Sequence, residues 1–233
     1  MHYEYEILLF EEGDVSYVIE NKRYLLQPYD LLIIPSAKYH FADIHSEKPY
    51  KRFVVDFSHD YVNGRLLQEV FSQAQYFHLE KASEIVRLFE QMRSFAQQKE
   101  DSYNELACKT LLTEVLLQIL RLQRSCHSPE DTVSESVCSA VVEYINQNLT
   151  TVSTLDEIAN HFFTSKSSLS HQFKQTMGIS PMKYIKNKRL LLAQSLLKEG
   201  RKPTEIFTLC GYKDYPTFFR AYRSHFKKAP SDK

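Results

Sequence analysis

The hydrophobic pattern changes twice along this chain of 233 residues. Over residues 2–57 it consists of short apolar runs rich in Tyr, Ile, Val, Leu and Phe, separated by turn formers such as Gly13-Asp14 and Pro35-Ser36. The runs predict strands at 4–11, 15–20, 22–27, 30–34 and 52–57, with a further strand at 75–79. Short strands at this spacing are typical of a small antiparallel barrel or sandwich.

Helical periodicity begins after residue 80. Apolar residues recur three and four positions apart over about 82–98 and again over about 102–124, which predicts two helices. The apolar face from Leu106 to Leu122 is so broad that we expect burial on two sides, against the strands and against a partner subunit. The alternative is that it packs entirely on its own barrel. Residues 126–136 are polar and aperiodic and predict a linker.

The C-terminal part contains one small unit twice, at 155–174 and at 204–223. Each copy predicts a short helix, a tight turn and a longer helix with one apolar face, and the second turn holds one extra residue. This is the layout of a helix-turn-helix, which inserts its second helix into the DNA major groove. A joining helix is predicted from Pro181, capped by Ser180, to about Glu199.

The outward faces of the two second helices carry side chains that suit base recognition. Arg220 is the sharpest candidate, because a guanidinium can donate two hydrogen bonds to guanine. Phe218 already fills the core position, so Phe219 is expected to be exposed and to contact a thymine methyl. The alternative for each polar residue is an ordinary solvated helix surface. The predicted base-reading residues are Ser167, Ser170, His171, Lys174, Tyr215, Pro216, Thr217, Phe219 and Arg220.

The charge distribution supports a nucleic-acid partner for this half of the chain. From residue 137 onward there are 15 Lys and Arg against 7 Asp and Glu, a net of +8, although the whole chain is neutral. Basic residues beside the reading faces are expected to contact phosphates. The predicted phosphate contacts are Lys166, Lys186, Arg189, Lys213, Arg223, Lys227 and Lys228, with Lys183 and Lys188 as further candidates.

The joining helix sets the expected geometry on DNA. A helix of about 19 residues is roughly 28 Å long. It is long enough to hold the reading helices about 34 Å apart, one turn of DNA. One monomer is therefore expected to read two successive major-groove segments on one face of double-stranded DNA.

Other classes of function receive little support. Cys108, Cys126, Cys138 and Cys210 lack metal-binding spacing and are expected to be reduced thiols. The sequence has neither the pattern of a signal peptide nor a long apolar run, so we expect a cytoplasmic protein without a membrane-spanning segment. Because no nucleophile–base pair, phosphate loop or paired carboxylates stand out, we expect no catalytic residues and no cofactor.

Residues 137–231 resemble the AraC-type transcription regulators. The run from Gly211 to Arg223, ending at Ala229-Pro230, is similar to the second helix-turn-helix of that family, and Gly178-Ile179-Ser180-Pro181 to the connection after the first. The resemblance implies a DNA-binding domain at 137–233. Two residues depart from the pattern: Phe207 replaces a usually small residue, and Lys227 occupies a position where glycine is common.

The N-terminal half resembles the cupin-like, sugar-sensing barrel of many such regulators, through residues 35–40 and 50–57. The predicted fold class is therefore α+β: an N-terminal cupin-like antiparallel β-barrel with a two-helix dimerisation segment at 1–125, then an all-α domain with tandem helix-turn-helix motifs. The resemblance implies a homodimer formed through the helices at 82–124. It also implies an effector pocket, with His2, Glu6, His40 and Arg52 at its mouth; the alternative is that His40 and Arg52 have only a structural role. We expect no bound metal, because a complete ligand set is absent.

The function that follows is a ligand-responsive transcription regulator, with activation expected rather than repression. Its partners would be operator DNA, a small-molecule effector with a carbohydrate as the candidate, and RNA polymerase. Two alternatives stay open. One is a regulator that needs no effector, whose barrel serves only for dimerisation. The other is a cupin-type metalloenzyme with an accessory DNA-binding module.

Overall fold

The structure, a computed structural model, describes residues 4–20, 22–98, 102–125 and 137–232. The chain divides into two compact units, 1–132 and 133–233. His2, Cys126 and the predicted linker at 126–136 lie outside the described residues.

Among its described residues the N-terminal unit has seven strands in two antiparallel sheets. The larger sheet has the order β6-β1-β4-β7 and the smaller one the order β3-β2-β5. The predicted strands are confirmed with small shifts at their ends, and β5 was not predicted. The strands are β1 (Tyr5–Glu12), β2 (Val15–Ile19), β3 (Lys22–Leu25), β4 (Asp30–Ile34), β5 (His40–Ile44), β6 (Lys51–Phe57) and β7 (Gln75–His78).

The central strand β1 is buried on both faces. Side chains alternate across a strand, so Ile7 and Leu9 join a core shared with the helices of this unit. Leu8 and Phe10 join a second core shared with Val15 of the smaller sheet. The larger sheet therefore lies between the helices and the smaller sheet, and this is why the apolar runs of its central strands are almost continuous.

Three helices cover the outer face of the larger sheet: α1 (Gly64–Val70), α2 (Glu84–Ala96) and α3 (Ser102–Ser125). α1 was not predicted, because its seven residues are too few to show a helical period and no repeated motif marks them. The broad apolar face of α3 is divided. Leu112, Val115, Leu116 and Ile119 are buried within the unit, whereas Tyr103, Leu106 and Leu117 are exposed.

The described part of the C-terminal unit is helical, as predicted. Its helices are α4 (Val137–Gln147), α5 (Leu155–His161), α6 (Lys166–Met177), α7 (Pro181–Lys198), α8 (Pro203–Leu209) and α9 (Tyr215–Phe226). The predicted Ser180 cap of α7 is confirmed, because its side chain accepts the Lys183 N–H and Pro181 occupies the first turn.

Candidate nucleic-acid interface and effector site

The two helix-turn-helix units share one backbone path. The second residue after each short helix adopts a left-handed conformation, with φ of +50° at Phe163 and +76° at Gly211. Equivalent backbone hydrogen bonds flank the two turns: Phe162 N–H to Ile158 O and Thr164 N–H to Ala159 O in the first, Cys210 N–H to Ile206 O and Tyr212 N–H to Phe207 O in the second. The duplication seen in the sequence is therefore a duplication of structure.

The long helices also end alike. α6 ends at Gly178 with φ of +70°, and α9 ends at Lys227 with φ of +60°. Each residue donates its N–H, at 2.9 Å, to a carbonyl four positions back. Lys227 thus adopts the left-handed conformation that the family-like glycine adopts in the first unit, and the departure in sequence leaves the backbone unchanged.

The inward faces of the reading helices are packed as predicted. On α6 the buried side chains are Leu169, Phe173 and Met177. On α9 they are Phe218 and Tyr222. Because these stripes are fixed in the core, the opposite faces of both helices point outward.

The outward face of α6 is polar and accessible. Ser167, His171 and Lys174 are exposed, and Ser170 is half-buried. Small hydroxyl side chains leave room for close approach, and the imidazole and ammonium groups supply hydrogen-bond donors. These residues form a surface of the kind that reads base edges.

The outward face of α9 is partly aromatic. Pro216, Thr217 and Arg220 are exposed. Phe219 is half-buried with its ring 6.1 Å from that of Tyr215, so the expectation of an exposed Phe219 is wrong in degree. The Tyr215 ring also lies 6.0 Å from the ring of Phe207, so Tyr215 packs near both phenylalanines.

Arg220 is held by a chain of hydrogen bonds that sequence reasoning missed. The carboxylate of Asp214 accepts the Thr217 N–H at 2.7 Å and the Thr217 hydroxyl at 3.0 Å. Because that hydroxyl donates to Asp214, its lone pairs are left to accept from Arg220 Nη2, at 3.4 Å. The hydrogen bonds from Thr217 lower the pKa of Asp214, which keeps it ionised. The signal in the sequence was an Asp three residues before a Thr at a helix start.

Most of the predicted phosphate contacts are accessible. Lys166 forms an ion pair with Asp156 at 3.0 Å, but both side chains are exposed and such a pair contributes little. Of the two further candidates, Lys183 is exposed, and Lys188 lies 5.8 Å from the centre of the Tyr184 ring. The remaining exposed residues of the set are Lys186, Lys213, Arg223, Lys227 and Lys228.

Arg189 is the exception, because two of its hydrogen-bond donors are used within the unit. Its Nε donates to the Leu149 carbonyl at 2.8 Å, and its Nη2 donates to the Val152 carbonyl at 2.6 Å. Burial lowers the pKa of the guanidinium. Arg189 therefore links α7 to the loop between α4 and α5.

The second turn is packed against that same arginine. A Cβ atom on Gly211 would lie 2.6 Å from the Thr150 carbonyl and 2.8 Å from Arg189 Cζ. Phe163, at the equivalent position of the first turn, is 98% exposed. Glycine is therefore required in the second turn alone, because only there does another part of the chain come this close.

The N-terminal unit contains a polar cluster at Glu6, Tyr17 and His40, on strands β1, β2 and β5. Glu6 is buried and accepts the Tyr17 hydroxyl at 3.0 Å, while its other oxygen lies 3.2 Å from His40 Nε2. Burial, and then Glu6, raise the pKa of Tyr17. The structure thus brings two of the predicted pocket residues together and adds Tyr17.

Arg52 lies beside this cluster. Its guanidinium is 4.6 Å from the centre of the Tyr50 ring. The Tyr50 side chain is half-buried, and its burial raises the pKa of the phenol, an effect that Arg52 opposes. Tyr17 and Tyr50 were missed because a tyrosine in a strand is an ordinary core residue by pattern alone.

Two features are absent from the described residues. They contain no group of three or more His, Cys, Asp or Glu side chains arranged to hold a metal ion. In the same part of the chain, no helix is long and apolar enough to cross a membrane.

A sheet unit with a buried polar cluster, followed by paired helix-turn-helix motifs, defines a transcription regulator that joins a ligand-binding unit to a DNA-binding unit. Comparison with known proteins gives the family. A family model described as an AraC-like ligand binding domain matches residues 1–116, and one described as a helix-turn-helix domain matches residues 158–233. The chain belongs to the AraC family of transcription regulators.

The chain is similar to its relatives over most of its length. The arabinose operon regulatory protein of Salmonella typhimurium is 27% identical over 224 residues, covering 92% of this chain and 78% of the relative. The HTH-type transcriptional activator RhaS of Escherichia coli is 25% identical over 228 residues, covering 94% of this chain and 75% of the relative. The crystal structure of ToxT from Vibrio cholerae is 14% identical and covers 99% of this chain and 88% of that one, with a TM-score of 0.43. The named curated relatives are transcription regulators and not enzymes.

Proposed function

We propose that this protein binds operator DNA through α6 and α9 together, one in each of two successive major-groove segments. The observation that carries the proposal is the repeated unit itself: two capped helices with buried inward stripes and accessible polar outward stripes. On α6 the base-reading residues are Ser167, Ser170, His171 and Lys174. On α9 they are Tyr215, Pro216, Thr217, Phe219 and Arg220.

The basic residues around these faces position the protein on the DNA backbone. Phosphate contacts carry no sequence information but contribute most of the salt dependence of binding. We assign this role to Lys166, Lys186, Lys213, Arg223, Lys227 and Lys228, and we leave Arg189 out because two of its donors are used within the unit.

The effector of the N-terminal unit is proposed to be a small carbohydrate bound at Glu6, His40 and Arg52. The carboxylate, imidazole and guanidinium groups offer the acceptors and donors that sugar hydroxyls require. A relative named for the arabinose operon supports this class of ligand. Activation in the cytoplasm, with RNA polymerase as a partner, is proposed by analogy with the relative described as an activator.

A homodimer is proposed through the helices at 82–124. Tyr103, Leu106 and Leu117 on α3 are 75%, 61% and 37% exposed, and a second copy of this helix would cover them.

The experiment that tests the proposal is selection of DNA from a random duplex library by the full chain, with and without arabinose and other small sugars. We expect an operator with two conserved segments about one helical turn apart. We also expect one of the sugars to change which fragments are selected. Uniform recovery of all sequences at moderate salt would contradict the proposed function.

A further inference from the structure

Strand β6 separates two different environments. Phe53 and Val55 pack into the core beneath the helices, whereas Val54 packs into the core between the sheets. Asp56 lies directly across from Glu6 in the strand register and so points to the same side as that residue. The polar cluster at Glu6 and the space beneath the helices are therefore on opposite faces of the larger sheet.

A cavity of about 520 Å³ lies on the helix side, between β6 and the helices α2 and α3. This size falls within the range of small-molecule sites in proteins. Nothing in the proposed effector site uses it. The cavity is lined mainly by aromatic, aliphatic and sulfur-containing side chains, among them Phe53, Phe57, Tyr61, Met92, Cys108 and Leu112.

The chemistry of this wall selects a type of ligand. Phenyl and phenol rings pack on a flat ring at an offset or edge-on. Thioether and thiol sulfurs also contact aromatic rings favourably. Burial raises the pKa of the Cys108 thiol, so the wall stays uncharged at that position.

The charge of the wall selects further. Glu4 and Asp56 are both part of the wall, but the carboxylate of Asp56 points to the other face of the sheet, and none of the residues that form the wall is Lys or Arg. Lys109 lies outside this set, 5.2 Å from the centre of the Tyr61 ring. A carboxylate at Glu4, with no cationic side chain in the wall, disfavours a ligand with a negative charge.

We propose that this cavity is a second small-molecule site, separate from the Glu6 cluster, and that it takes an aromatic compound that is neutral or positively charged. Such a ligand would contact β6 on one side and the α2–α3 pair on the other. It would therefore stabilise the packing of these two helices on the sheet.

Three indole compounds test the proposal with the full chain. The protein contains no tryptophan, so indole fluorescence excited beyond the tyrosine absorption band is followed without protein background. Tryptamine and indole are expected to bind saturably at one site per chain. Indole-3-acetate is expected to bind with an affinity at least about tenfold lower. Glu4→Gln should reduce the difference in binding affinity between tryptamine and indole-3-acetate. Equal binding of all three compounds, or no saturable binding, would overturn the proposal.

Two matched variants locate the site. Cys108→Phe fills the cavity and should weaken indole binding about tenfold or more, whereas Cys108→Ala should stay within about threefold of the wild type. Ala96→Phe, which fills the cavity from α2, replaces Cys108→Phe if thermal unfolding shows that variant to be misfolded. Unchanged binding in a folded, filled variant would contradict the assignment.

A third variant separates this proposal from the effector site. Glu6→Gln changes the polar cluster on the other face of the sheet and should leave indole binding as in the wild type. Loss of binding in Glu6→Gln would mean that the indoles bind at the cluster and not in the cavity. Since no DNA is present in these measurements, their outcome does not depend on the proposed operator binding.

Discussion

At the scale of single residues, Arg220 differs from the other candidate reading residues because its guanidinium already has a defined hydrogen bond before DNA arrives. A long side chain loses rotamer freedom on binding, and a preset orientation reduces that loss. We predict that Arg220→Ala lowers discrimination at one operator position by about 1–3 kcal/mol. Binding to a set of operators with single base changes measures this.

The control for Arg220 is Arg223→Ala, three residues further along the same helix. That variant should weaken binding to all the operators alike and reduce the salt slope by about one unit. Asp214→Asn should also reduce base discrimination at that operator position, but by less than Arg220→Ala does, because Thr217 would lose its orientation. If Arg220→Ala weakened binding to all operator sequences equally, Arg220 would be a phosphate contact.

The two left-handed turn residues allow a matched comparison of stability. Gly211→Ala forces a Cβ to within 2.6 Å of the Thr150 carbonyl and adds left-handed strain, so we predict a loss of about 2 kcal/mol or more in the free energy of unfolding. Phe163→Ala keeps a side chain in the same conformation at a 98% exposed position and should change stability by less than about 0.5 kcal/mol. Denaturant unfolding of both variants checks this, and equal effects would contradict it.

At the scale of elements, the joining helix α7 depends on Arg189 for its attachment to the first half of the unit. We predict that Arg189→Lys destabilises the C-terminal unit by about 2–3 kcal/mol, because an ammonium group cannot reproduce two diverging hydrogen bonds to carbonyls. Denaturant unfolding measures the loss.

The salt slope of DNA binding distinguishes this role from a phosphate contact. Arg189→Lys keeps the charge, and Arg189→Gln removes it. Neither should change the slope, whereas Lys186→Ala, on the same helix, should reduce it by about one unit. A reduced slope in Arg189→Gln at unchanged stability would restore Arg189 to the interface.

How far the sequence predicted these elements depends on how local their signals are. The duplicated helices and their inward stripes follow from spacing within a dozen residues and were predicted correctly, whereas the Asp214 cap of α9 was missed. Short α1 carries too few residues to show a period. The role of Arg189 required knowledge that Leu149 and Val152, about 40 positions earlier, lie beside it. No local pattern contains that information.

The same limit applies to the polar cluster of the N-terminal unit. Glu6 and His40 were proposed together by resemblance, and the structure places them 3.2 Å apart. Tyr17 completes the cluster, but its position follows from the pairing of β2 with β5 in the smaller sheet, which opposes β1 across the second core. Residues on opposing sheets meet only in three dimensions, and a single sequence does not show which strands will oppose each other.

At the scale of the whole molecule, the proposed function requires that a change at the cluster alters DNA selection by a different unit. A ligand shifts such an equilibrium only through a difference in its affinity for two states. We predict that Glu6→Gln abolishes the response to the effector sugar while DNA selection without sugar stays as in the wild type. Glutamine matches the shape of glutamate but removes the charge that faces His40 and accepts from Tyr17.

The matched control is Glu12→Gln on the same strand, which removes an exposed ion pair with Lys51, at 2.6 Å. It should respond to sugar as the wild type does. Selection of DNA by the three proteins, with and without sugar, gives the readout. A normal response in Glu6→Gln would place the effector elsewhere, with the cavity beneath α2 and α3 as the next site to examine. The absence of any response in the wild type would instead favour a regulator that needs no effector, whose N-terminal unit serves only for dimerisation.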